Sequence, residues 1–127
     1  MAWAAADFSR VEAYDLSDPA RPEKVSELFR DGSRASITAV AVRDGLMAVT
    51  SQGPSGTTRL DLVDVSDARN PQSRGSVAVP VTIDSLAHVV LEGRVAAVGN
   101  SLGSPVRLVD ISNPDSPQVR ALVPSGA

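Results

Sequence analysis

The chain has no cysteine, which removes disulfides, thiolate metal sites and a cysteine nucleophile from consideration and leaves its redox compartment open. Aromatic residues are nearly as scarce: one Trp, one Tyr and two Phe account for 3% of 127 residues, too few for a sugar-stacking platform. No window approaches the roughly 18 consecutive apolar residues that a membrane span requires. The opening Met1-Ala2-Trp3-Ala4-Ala5-Ala6-Asp7 has no basic segment leading into an apolar stretch, so no cellular address can be read. Charge of one sign is missing too: twelve basic residues are mixed with fifteen acidic ones, for a net charge of −3. No positive patch is therefore available to neutralise a run of phosphates, and both nucleic acid and membrane insertion are set aside.

What remains is aliphatic and turn-rich. Hydrophobic residues make up 43% of the chain, and nine Gly and nine Pro punctuate it. That mixture suits short β segments joined by tight turns better than long helices.

The strongest signal is an internal repeat. Three segments align without a gap: Val11-Glu12-Ala13-Tyr14-Asp15-Leu16-Ser17-Asp18, Leu60-Asp61-Leu62-Val63-Asp64-Val65-Ser66-Asp67 and Val106-Arg107-Leu108-Val109-Asp110-Ile111-Ser112-Asn113. Pro22, Pro71 and Pro117 each follow seven residues after the Asp. Asp15, Asp64 and Asp110 are separated by 49 and then 46 residues, close to the roughly 40 to 50 residues of a four-stranded propeller blade. Each motif reads as a strand with apolar residues on both faces, which then stops. Ser followed by Asp or Asn favours bonding to nearby backbone amides, and Pro cannot extend a ladder that needs its N–H.

Between motifs the chain supplies a hairpin per repeat. Residues 36–42 lead through Arg43-Asp44-Gly45 into 46–50, and residues 83–91 lead through Glu92-Gly93 into 94–98, with Gly where a short turn needs positive φ. One further strand follows each Pro, over 23–29, 72–79 and 118–123. Four antiparallel strands in meander order make one propeller blade. Residues 2–6 fall where the second strand of a blade belongs. The predicted architecture is all-β, a β-propeller segment of about two and three-quarter four-stranded antiparallel blades: a partial first blade over 2–29, a second over 36–79 and a third over 83–123.

The runs Leu60-Asp61-Leu62-Val63-Asp64 and Val106-Arg107-Leu108-Val109-Asp110, each continuing through Val or Ile, Ser, Asp or Asn to Pro, resemble the LVIVD repeat. The first copy departs from it, with Glu12-Ala13-Tyr14 in place of the aliphatic run. The resemblance implies a propeller-like scaffold from a bacterium or archaeon, exported or held at the cell surface, and carries no catalytic residue with it.

Asp15, Ser17 and Pro22, with Asp64, Ser66 and Pro71 and with Asp110, Ser112 and Pro117, are read as structural turn residues. Asp64-Val65-Ser66-Asp67 lacks the alternating oxygen ligands, central Gly and distal Glu of a helix-loop-helix calcium loop, so no metal is assigned. The loops holding Gly53, Ser55 and Gly56, and Asn100, Ser101 and Gly103, occupy equivalent places in two blades. No helix follows either to hold a phosphate, so they are candidate ligand-binding loops on one rim. His88, the single histidine, lies between Ala87 and Val89 and reads as a packed or edge histidine. Alternation puts Asp84 on its face and Ser85 on the other. Trp3, Phe8, Tyr14 and Phe29 read as core.

No catalytic or cofactor-binding residue is assigned. The reading is a non-enzymatic structural or binding module of unknown ligand, and its competitor is a propeller enzyme whose active site lies in blades outside this chain. Fewer than about four blades do not close a ring. The exposed blade faces are therefore expected to meet further blades of a longer protein or, less in keeping with the strand count, other copies of the chain.

Overall fold

A computed structural model describes residues 2–6, 10–28, 37–52, 58–79, 87–100 and 106–123. Among these the structure is all-β: eleven strands, β1 (Ala2–Ala6), β2 (Arg10–Asp15), β3 (Glu23–Leu28), β4 (Ile37–Arg43), β5 (Leu46–Gln52), β6 (Thr58–Asp64), β7 (Gln72–Val79), β8 (Ala87–Glu92), β9 (Val95–Asn100), β10 (Val106–Asp110) and β11 (Gln118–Val123). They form three antiparallel meanders in which every strand pairs with its neighbour in sequence: β1-β2-β3, β4-β5-β6-β7 and β8-β9-β10-β11.

Local chemistry accounts for the hairpins. Arg43 pairs with Leu46 across Asp44-Gly45, whose φ angles of 52° and 78° give the two left-handed residues of a type I′ turn. In the third sheet Glu92 pairs with Val95 across Gly93-Arg94. Glu92 is thus a strand residue and Gly93, at φ 57°, takes the first central place, the pattern of a type II′ turn. The same geometric need is met by two turn chemistries.

Tertiary packing explains why β6 is apolar on both sides. Leu60 and Leu62 point into a cluster shared with Val89, Leu91, Val98, Val109 and Ile111 of the third sheet. Val63 and Val65 join Met47 and Val49 in a second cluster with Val11 of the first sheet, against which Trp3 and Leu28 pack. The second sheet is therefore enclosed between the other two, like a strand of a doubly covered sheet. Buried polar groups inside it are partnered: the fully buried Thr50 shares a hydroxyl hydrogen bond with Thr38 at 2.8 Å.

The second and third sheets touch most extensively through their leading strands, β4 against β8, and β1, the counterpart of β5, meets β4 as β5 meets β8. In every sheet the register slips where the last strand meets its neighbour, between Ala13 and Tyr14, Asp61 and Val63, and Leu108 and Val109. A bulge at the same place in three copies bends each last strand alike.

Candidate functional site

Each strand that carries the motif ends in an identical lock. Oδ1 of Asp15, Asp64 and Asp110 accepts a hydrogen bond from the backbone N–H two residues on, of Ser17, Ser66 and Ser112, at 2.9 Å in all three cases. The hydroxyls of Ser66 and Ser112 donate to the same oxygens at 2.7 and 2.6 Å. A second bond of the same type follows: Asp18, Asp67 and Asn113 accept from the N–H of Ala20, Arg69 and Asp115 at 3.1, 3.1 and 3.2 Å. Their carbonyls then accept from Arg21, Asn70 and Ser116 at 2.9, 3.0 and 2.9 Å. Short Asx side chains can satisfy turn amides in this way because their oxygens reach the amide two residues on.

These bonds favour the ionised carboxyls. The backbone amide of Ser17 holds Asp15 below the ordinary carboxyl range. The hydroxyl and then the amide of Ser66 do the same for Asp64, helped by Arg74, and Ser112 and Arg120 do so for Asp110. All three carboxylates are only half-buried. Pro22, Pro71 and Pro117 each stand immediately before the last strand of their sheet, which starts at Glu23, Gln72 and Gln118.

The turns also join the sheets, a role that the residue pattern alone did not reveal. The Ser26 hydroxyl on β3 donates to the carbonyl of Ala68 in the second turn at 2.6 Å. The Gly75 N–H on β7 donates to the carbonyl of Pro114 in the third turn at 2.7 Å. Ser26 and Gly75 each lie four residues after the motif Pro, and Ala68 and Pro114 each lie four residues after the motif Asp, so the contact is one repeated joint. Its second occurrence is tighter. A Cβ on Gly75 would meet the Pro114 oxygen at 2.5 Å and Pro117 Cδ at 2.6 Å, so only glycine fits. Beside it Arg74 holds Asp115 through two parallel bonds, Nε to Oδ1 at 2.6 Å and Nη2 to Oδ2 at 3.0 Å, the forked geometry of strong guanidinium–carboxylate pairs. Continuing the alignment past the Pro shows a recurring small residue, Ser26, Gly75 and Ala121, but not what lies against it.

The outward face of the first sheet is charged. Glu12, only 8% exposed, accepts from the Tyr14 hydroxyl at 2.8 Å and from Lys24 Nζ at 3.2 Å, with Arg10 Nε at 3.4 Å. Lys24 also bonds Glu27. The Tyr14 hydroxyl, then Lys24, holds Glu12 below its ordinary range, and the same bond raises Tyr14. Tyr14 is therefore not a core residue: Val63 and Val109 occupy its column in the other sheets and are fully buried, whereas Tyr14 serves a carboxylate. Trp3 does pack on the core and, with Val40, Val42, Gly45 and Ser66, lines a cleft of about 670 Å³ between the first two sheets. Phe8 and Phe29 lie outside the described residues.

Of the candidate rim residues, Gly53, Ser55, Gly56, Ser101 and Gly103 lie outside the described residues. Asn100, expected in a loop, is the last residue of β9 and pairs with Ala87. His88 is exposed on β8, one of the two edge strands of its sheet, and Asp84 and Ser85 lie outside the described residues. Among the described residues no three His, Cys, Asp or Glu side chains come together as a metal site, and no helix is long and apolar enough to cross a membrane. In comparisons with known proteins, no family model matches the chain and no curated protein matches it significantly.

Proposed function

We propose that this chain is a run of β-propeller blades of the LVIVD kind, serving as a non-enzymatic structural or binding scaffold alongside further blades. The observation that carries the reading is the repeated joint: three meanders stacked face to face, each with the same bulge, the same double Asx turn, and a contact from the last strand of one sheet to the turn of the next. A joint that repeats at a fixed register adds each sheet by nearly the same rotation, and contact between leading strands, seen for β4 and β8, is what a fan of blades around an axis requires. The aspartates and serines of the motif are then mechanical parts. Their oxygens are spent on backbone amides, which favours a scaffold over a catalyst.

The absence of cysteine makes the test clean. Spin labels on single cysteines introduced at Arg21, Asn70 and Ser116, equivalent exposed turn positions, report three distances by pulsed electron resonance. A fan gives two similar neighbour distances and an end-to-end distance clearly shorter than their total. An end-to-end distance equal to that total describes a straight stack and overturns the propeller reading.

A further inference from the structure

The two outer faces of the stack are unlike. That of the first sheet carries the charged Arg10–Glu12–Tyr14–Lys24–Glu27 network. That of the third sheet exposes aliphatic residues beside His88: Val90 is 62% and Val95 38% exposed. Leu108 is half-buried, while Leu62 in the same column of the covered second sheet is 1% exposed. The third sheet also carries the joint. Arg120 lies three residues after its Pro, as Arg74 does, and Ala121 takes the column of Gly75. Each arginine pairs with the motif Asp of its own sheet, Arg74 with Asp64 at 3.8 Å and Arg120 with Asp110 at 3.7 Å. Arg74 is completed by Asp115 of the next turn. Arg120 has no such second carboxylate among the described residues, is 62% exposed, and borders a hollow of about 440 Å³ with Arg94, Leu108 and Asp110. At the matching place on the second sheet, Asp115 sits on Arg74 and Pro114 on Gly75.

We infer that the outer face of β8–β11 is a docking surface for one further four-stranded meander whose turn bears a carboxylate five residues after its motif Asp, the position of Asp115. Arg120 would clamp that carboxylate while the partner's apolar face covers Val90, Val95 and Leu108; Ala121, which unlike Gly75 has a Cβ, calls for the wider joint found at Ser26. The inference rests on the repeat-scaffold reading and adds chemistry to it: the meander that covers the third sheet is selected by an acidic turn. A second copy of this chain is a poor occupant, since its first turn offers Ala20 in the acidic position and its outer face carries the charged network.

The chain's own third repeat is a suitable probe. Joining a copy of residues 80–123 directly after Val123 supplies a meander with the required acidic turn. The expected result is a monomer in which amide exchange of β10 and β11 slows about tenfold or more. Arg120→Asp should abolish that protection, and Asp115→Arg made only in the appended copy should restore it. Exchange in β5 and β6 serves as the control that each variant folds. Unchanged exchange in β10 and β11 would overturn the docking face, and protection indifferent to the charge exchange would overturn the clamp. A discrete dimer of the unextended chain that Arg120→Asp dissolves would make a second copy the occupant, against the inference. Each result is independent of the spin-label distances, so a straight stack with an active clamp separates failure of the propeller geometry from failure of the docking face.

Discussion

Gly75 shows how one missing side chain sets the distance between two sheets. Its N–H bonds Pro114 while the space a methyl would need is occupied by backbone and by Pro117, so Gly75→Ala must push the third turn away. We expect a cost of about 2–3 kcal/mol in urea unfolding, in the range of overpacking substitutions. Ser26→Ala, which removes only a hydroxyl bond at the first joint, should cost about 1 kcal/mol. The motif aspartates act more gently because they are half-exposed: Asp64→Ala and Asp110→Ala should each lower the melting temperature by a few degrees, measured by thermal melts at pH 7. Their carboxyls, like that of Asp15, titrate lower in the folded chain than in the unfolded one. The stability they contribute is thus complete above the ordinary carboxyl range and drains away as the pH falls through and below about 4. Melts of the parent from pH 6 to pH 2 should show that loss, and the Asp64→Ala variant should lose less. The bonds of these aspartates follow from the residue pattern, since Asp-x-Ser brings a short acceptor to an amide two residues on. The role of Gly75 does not, because nothing nearby in sequence says that another turn lies against it.

At the scale of the element, β6 and β10 have nearly the same pattern but different surroundings. Leu62 is enclosed by the third sheet and Leu108 is half-buried. Leu62→Ala should therefore cost about 3–4 kcal/mol and Leu108→Ala about 1–2 kcal/mol in the same denaturation series. Equal costs would contradict the one-sided cover of the third sheet. The strand positions after each motif Pro, and the hairpin at Asp44-Gly45, follow from alternation and turn chemistry. The exchange of roles at Glu92 and Gly93 does not, because Gly suits the second central place of a type I′ turn and the first of a type II′ turn, which leaves the pairing open. The bulges are equally silent in sequence: an extra residue in a strand has no composition of its own.

Across the whole molecule, protection against exchange should follow enclosure. The second sheet has both faces covered, so amides of β5 and β6 should exchange most slowly, and those of the edge strand β11, which meets the second sheet far less than β8 does, should exchange fastest among the strands of the third sheet. Hydrogen exchange followed by mass spectrometry checks this order. Such a gradient is expected of a one-dimensional stack, in which each sheet is stabilised by its immediate neighbours.

The sequence by itself determined the repeat, the β class, the meander order and the turn lock, because each depends on residues close along the chain: alternating apolar positions, Gly where φ must be positive, and Asp two residues before an amide. Tertiary structure alone decided which turn meets which strand, that Tyr14 turns outward to a carboxylate while its counterparts Val63 and Val109 fill the core, and that Arg74 is completed by Asp115 forty-one residues away. Those outcomes depend on the separation and register of stacked sheets, which arise only when apolar faces from distant segments close on one another and exclude water.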